Sequence, residues 1–155
     1  MYNQIELYME PEMVLDKMED AYCEISRAEH GFICGLIRKH QPHKIVEVGV
    51  AGGGTTAVIM KCLDLLHSNA KMYSVDLNEQ CYRKQEKVTG YQLNEVREVL
   101  GNFSNHKFLL GHILPYLSDG AIVVLHDVTL NLSDLSRKTS YATKVVFDAA
   151  VVAIY

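Results

Sequence analysis

The sequence has no basic excess. Fifteen Lys and Arg stand against nineteen Asp and Glu, a formal net charge of −4. A basic footprint for nucleic acid is missing, so nucleic acid is not an expected partner. There is no apolar run near the roughly 20 residues of a membrane span. The opening stretch, Met1 to Met13, has neither a basic start nor an apolar centre, so it does not read as a secretory signal. A cytoplasmic location without a membrane partner is expected. The four cysteines, Cys23, Cys34, Cys62 and Cys81, show no C-x-x-C spacing. They are expected as buried or partly buried thiols in a reducing compartment. No repeat and no low-complexity segment is present. What remains is ordinary for a globular chain: 155 residues, 48% apolar. One domain over 1–155 is expected, with a helical segment over 1–43 ahead of a core over 44–155.

The core is organised around Lys44 to Met60, KIVEVGVAGGGTTAVIM. Ile45 to Val48 has the β-branched character of a strand, with Glu47 its one charge. Gly49, Gly52, Gly53 and Gly54 follow within six positions. Thr55-Thr56 then opens an apolar run suited to a helix. Strand, glycine turn and helix in that order make the first half of a βαβ unit. Glycines permit a tight turn and a close approach of ligand to main chain. The first N–H groups of the helix lack intrahelical partners and face that ligand. After a turn at Ser68-Asn69-Ala70, Lys71 to Val75 reads as a second strand ending in Asp76. An acid about 20 residues past a glycine loop is placed to accept hydrogen bonds from ribose hydroxyls. The plainer alternative is that Asp76 caps a following helix.

Read from Glu47, the stretch is acid-x-Gly-x-Ala-x-Gly, at Glu47, Gly49, Ala51 and Gly53. This resembles motif I of the class I S-adenosylmethionine-dependent methyltransferases, with alanine for the middle glycine. MYSVDLNE around Asp76 resembles their second motif. The resemblance, over roughly Ala28 to Asp127, implies an α/β fold: a Rossmann-like, doubly wound and mostly parallel sheet, here behind N-terminal helices. It also implies a cofactor, S-adenosylmethionine. The loop residues Gly49, Ala51, Gly53, Gly54 and Thr55 would lie along its methionyl part, Glu47 would favour its ammonium, Asp76 would hold its ribose, and Leu77 would border the adenine. The implied activity is methylation of a small molecule, that of an O-methyltransferase of the sugar or secondary-metabolite type. Two rivals stand beside it. Gly49-x-Ala51-x-x-Gly54 is one substitution from a dinucleotide-binding loop, although Glu47 would face the pyrophosphate there. A cofactor-binding module without turnover, such as an oligomerising subunit, is the other; a homo-oligomer suits either case.

In chain order, Pro11 opens a helical pattern through Met18 and Ile25, and Ala28 to Lys39 reads as a second helix stopped by Pro42. His30, His40 and His43 are expected in solvated or capping roles. Asn78 to Lys87 is polar and includes Tyr82, expected on a helix surface or against adenine. Thr89-Gly90-Tyr91 is a turn, Gln92 to Leu100 a helix with Leu93, Val96 and Leu100 inward, and Lys107 to Leu110 a third strand. In the family a fourth, central strand follows. Here Gly111 runs straight into His112-Ile113-Leu114-Pro115, which resembles the approach to the fifth strand. Residues omitted at Gly111–His112 are the favoured reading, since losing the central strand leaves the first strand's ladder unpaired. Ala121 to Leu125 is a buried strand ending in His126-Asp127, a polar pair where open α/β sheets place ligands. Asp127 and His126 are the candidate catalytic pair. By the resemblance Asp127 is also a candidate ligand for Mg²⁺ or another divalent cation, although His126 departs from the oxygen donors a hard cation prefers. A helix from Ser140 to Ala150 and a strand from Val151 to Tyr155 close the chain, abutting so tightly that this end too looks abbreviated.

Overall fold

A computed structural model describes residues 5–19, 21–101 and 103–111, together with the backbone of two further strands. A 3-10 helix, Glu10–Lys17, leads into α1, Arg27–His40. The core then alternates as β1, Lys44–Val48; α2, Gly54–Leu65; β2, Lys71–Asp76; α3, Leu93–Leu100; and β3, His106–Leu110. The two further strands are β4, Ile122–Leu125, and β5, Val151–Ala153. Among the described residues these strands form one sheet in the order β3-β2-β1-β4-β5. All neighbours are parallel except β4 and β5, which run antiparallel. No helix among the described residues is long and apolar enough to cross a membrane.

Each core element has a local cause. α1 begins with a capping box: Ser26 Oγ accepts from the Glu29 N–H, and the Glu29 carboxylate accepts from the Ser26 N–H at 2.6 Å. It ends where Gln41 turns left-handed ahead of Pro42. α2 buries Ala57 through Met60, Cys62 and Leu63, a nearly continuous apolar run that packs on the sheet and on Ile33 and Ile37 of α1. Val14 and Met18, from the 3-10 segment, close the same cluster. The Pro11 pattern thus folds as a 3-10 helix in place of the expected longer helix. Its eight residues are held by what they pack against.

β1 is flanked on both sides, by β2 (Val48↔Val75) and by β4 (Val48↔Leu125). The strand over 122–125 occupies the place beside β1; the expected omission at Gly111–His112 falls at the edge of residues 112–121, outside the described residues. β5 pairs with β4 through Ile122↔Ala153 and forms an antiparallel edge. The helix expected over 140–150 lies outside the described residues.

Candidate cofactor site

The carboxyl ends of β1, β2 and β4 meet at one edge of the sheet, and the glycine loop rises from the first of them. The loop begins by extending the ladder, with Gly49 N–H donating to the Val75 carbonyl at 2.9 Å. It then turns, with Gly53 N–H donating to the Val50 carbonyl at 2.9 Å, and Gly53 serves as N-cap of α2 at a φ of 104°. The remaining anchors come from Gly90, in the expected turn, and Gln92, the expected first residue of the following helix. Gly90 N–H donates to the Ala51 carbonyl at 2.8 Å, and Gln92 N–H to the Gly52 carbonyl at 3.0 Å.

The glycines serve the protein's own packing more than expected. A Cβ on Gly52 would come within 2.8 Å of the Gln92 side-chain oxygen. One on Gly54 would overlap the Tyr22 carbonyl and the Cys23 sulfur. Only Gly49 among the loop glycines would place a Cβ in open space, so it is the one beside which a ligand can reach the backbone. Ala51 holds a left-handed φ of 48°. An alanine there carries a steric cost of about 1–2 kcal/mol that glycine does not, against roughly 0.5–1 kcal/mol for glycine's greater freedom when unfolded. Ala51→Gly is expected to raise unfolding stability by about 0.5–1 kcal/mol, read as a shifted urea midpoint at constant slope.

Glu47 lies beneath this loop and is 4% exposed. One carboxylate oxygen, Oε2, accepts from Thr56 Oγ1 at 2.6 Å and from Ser74 Oγ at 2.7 Å. The other, Oε1, is buried without a partner. Burial pushes the carboxyl up to about 7, the two hydroxyls pull against that, and the nearby Asp76 charge adds to it. Ser74 continues the network to His106 on β3, whose Nε2 stands 3.0 Å from Ser74 Oγ. Since Ser74 donates to Glu47, His106 donates to Ser74. Burial, with some help from Arg97, lowers His106 to about 4, which keeps it neutral.

Asp76, on the same face of β2 as Ser74, ends the neighbouring strand. Its Oδ2 accepts from the Val50 N–H at 2.8 Å and more weakly from the Ala51 N–H at 3.4 Å, while Oδ1 accepts from the Asn78 N–H at 2.9 Å. Asp76 therefore braces the glycine loop. No helix follows it. Residues 77–92 form an irregular loop with an isolated antiparallel bridge, Gln80↔Val88. Leu77 is 67% exposed at that strand end. Tyr82 is exposed on the irregular loop, its ring 5.0 Å from the Arg83 guanidinium, and not on a helix.

The expected residues Glu47, Gly49, Ala51, Gly53, Gly54, Thr55, Asp76 and Leu77 thus come together around one loop. His126 and Asp127 lie outside the described residues; the strand before them ends level with Val48. Among the described residues no group of three or more His, Cys, Asp or Glu is arranged to hold a metal. All four cysteines are free thiols, Cys34, Cys62 and Cys81 buried and Cys23 half-buried against Gly54. Burial, with the charges of Glu12 and Glu47, pushes the Cys23 thiol up to about 12.

Sequence reasoning missed His30. It is 2% exposed, neither solvated nor a cap, and joins Glu12 to Thr55. It also missed a strap over the loop. Tyr22 N–H reaches Gln92 Oε1 at 3.4 Å, Glu19 N–H donates to Glu95, and Glu24 pairs with Arg83 at 3.2 Å. Glu24 paired with an arginine 59 residues away leaves no local signal in the sequence.

No family model and no curated protein matches the chain. Solved structures do. The O-methyltransferase TomG from Streptomyces achromogenes, involved in tomaymycin synthesis and solved with S-adenosylmethionine, superposes with a TM-score of 0.52 at 13% identity, over 89% of this chain and 74% of that one. An inferred O-methyltransferase from Klebsiella pneumoniae gives 0.51 at 12% identity, over 84% and 70%. The S-adenosylhomocysteine-bound methyltransferase PaMTH1 from Podospora anserina gives 0.48 at 18% identity, and the chain spans 47% of its length. The chain has the Rossmann-like fold of the class I S-adenosylmethionine-dependent methyltransferases.

Proposed function

We propose that the chain binds S-adenosylmethionine and methylates a hydroxyl of a small molecule, of the sugar or secondary-metabolite type. One observation carries this reading: the unpartnered Oε1 of Glu47, buried beneath the loop. An uncompensated buried carboxylate oxygen is costly. A cationic group arriving over the loop satisfies it, and the ammonium of an amino-acid-bearing nucleoside is such a group. The two hydroxyls on Oε2 hold the carboxylate so that this oxygen is the one left to the ligand. Asp76, at the tip of the adjacent strand, is the acceptor for the ribose, and Leu77 the apolar edge for the base. Gly49 leaves room for the methionyl chain.

When bound, S-adenosylmethionine supplies an electrophilic methyl on a sulfonium. The chain's own contribution is to hold two reactants close and in line and to take away one proton as the carbon–oxygen bond forms and the carbon–sulfur bond breaks. We assign that proton to Asp127 or His126, which follow β4 in the sequence; a divalent cation on Asp127 is the alternative use of the same carboxylate.

Titration separates this reading from its rivals. S-adenosylhomocysteine is expected to bind and NAD not to. The reverse preference would sink the proposal in favour of a nicotinamide enzyme. Turnover of a hydroxylated panel, with and without Mg²⁺, is expected to fall at least a hundredfold in Asp127→Ala. Binding with no turnover of any acceptor would leave a binding module.

A further inference from the structure

Thr55 and Thr56 stand side by side in the first turn of α2, and each hydroxyl is fixed by a different buried acid. Thr56 is held by Glu47. Thr55 is held through an imidazole: His30 Nε2 lies 3.3 Å from Thr55 Oγ1, and His30 Nδ1 lies 3.0 Å from Glu12 Oε1. Both intermediaries are buried, His30 at 2% and Glu12 at 6% exposure. Burial works against charge on Glu12, but hydrogen bonds from His30 and Arg27 outweigh it and hold the carboxyl below its ordinary range. Arg27 Nε meets Glu12 Oε2 at 2.5 Å. An ionised Glu12 accepts a hydrogen bond from Nδ1–H, which orients the ring and leaves Nε2 to accept from the Thr55 hydroxyl.

Such an arrangement is expensive for a merely structural contact. A buried Glu–His–Thr chain spanning three elements costs desolvation at each member, and an apolar trio would pack there without it. Its end point is the half-buried Thr55, at the start of a helix of 12 residues whose first N–H groups have no intrahelical acceptor. The neighbouring Glu47 Oε1 is already unpartnered and marks where a cation is received. A zwitterionic amino-acid end needs an acceptor for its ammonium and donors for its carboxylate, next to each other. Glu47 and the α2 start with Thr55 are that pair.

We infer that Glu12 and His30 are positioning residues: they hold the Thr55 hydroxyl and so set the Thr55 backbone N–H, in the first turn of α2, to receive the carboxylate of the bound nucleoside's amino-acid end. The inference rests on the S-adenosylmethionine-binding reading above. It adds a determinant from the N-terminal segment, since neither residue belongs to the glycine loop.

Isothermal titration with two probes tests it: S-adenosylhomocysteine, and 5′-methylthioadenosine, which has the same nucleoside but no amino-acid end. The parent chain is expected to bind both. His30→Phe and Glu12→Gln are expected to weaken S-adenosylhomocysteine about tenfold or more while leaving methylthioadenosine within twofold. In a Thr55→Val background, His30→Phe is expected to add nothing further. Thr55→Ser, which keeps the hydroxyl, should retain the parent affinity. Equal weakening of both probes would show a structural role and overturn the inference. So would an unchanged S-adenosylhomocysteine affinity, or a full effect of His30→Phe without Thr55. Should His30→Phe not fold, Glu12→Gln and the Thr55 pair decide alone. A parent chain that binds neither probe removes the underlying site reading, an outcome distinct from one in which the parent binds and the variants do not discriminate.

Discussion

Glu47→Gln is expected to reverse the way stability depends on pH and to abolish most of the affinity for S-adenosylhomocysteine. In the folded chain Glu47 is raised from 4.5 to about 7 by burial. The folded state then holds its proton more tightly than the unfolded state, so stability falls as pH rises from about 4.5 through 7. Integrated, that is about 3 kcal/mol lost. His106 runs the other way. Lowered from 6.5 to about 4 by burial, it is the less protonated in the folded state, so stability rises with pH from about 4 to 6.5 by up to about 3 kcal/mol. The two oppose each other over most of the acid range. The parent chain should therefore be nearly flat between about pH 4.5 and 6.5 and should weaken towards pH 7 and above. Glu47→Gln removes only the falling component, leaving a rise up to about pH 6.5 and a plateau beyond. Urea midpoints across pH 4.5–8 read the difference. A parallel pair of profiles would show that Glu47 titrates normally and that its burial carries no functional meaning.

The same substitution discards the charge proposed above to receive the ligand's ammonium. A charge-assisted hydrogen bond contributes about 1.5–3 kcal/mol, or roughly 10- to 150-fold in affinity. An amide at this position leaves an N–H₂ group facing an ammonium, which adds repulsion. For the parent chain, affinity should also weaken as pH falls below 7, where Glu47 takes up its proton. Stability and binding thus pull in opposite directions on one residue. That is the pattern expected when a buried charge is kept for a ligand and not for the fold.

Local patterns made the centre of this protein readable. β1, the glycine loop and α2 announce themselves because strand character, turn residues and a helical run follow one another without interruption, and Asp76 lies at a distance that a βαβ crossover dictates. α3 was readable for the same reason: Leu93 and Val96 recur at helical spacing and both are buried. What was not readable depends on partners far apart in sequence. His30 is an isolated histidine in a helical pattern, and only the packing of the 3-10 segment on α1 brings Glu12 to it. Gly90 and Gln92 hold the glycine loop with backbone N–H groups, which any residue type but proline can supply. The place of β4 beside β1 is likewise not written locally; parallel pairing in a buried sheet depends on which strand fills the ladder.

Asp76→Ala is expected to cost both the loop and the sugar, and the two losses can be read apart. The carboxylate has room for about four hydrogen bonds. Three contacts are already made, two from the loop N–H groups on Oδ2 and one from Asn78 on Oδ1. The weaker of them, from Ala51 at 3.4 Å, is readily given up. Asp76 can then take one ribose hydroxyl on Oδ1 directly and the second only by loosening its hold on the loop, so ligand and loop compete for the same oxygen atoms. Removing the side chain strands the Val50 N–H, at about 1–3 kcal/mol of stability. It also removes sugar recognition, worth about 1.5–3 kcal/mol per hydroxyl bound by the charge. Adenosine and 2′,3′-dideoxyadenosine separate the terms: the parent chain should prefer adenosine by roughly tenfold or more, and Asp76→Ala should bind the two alike. An unaltered preference in the variant would mean that the ribose is held elsewhere, and that Asp76 is a brace for the loop and nothing more.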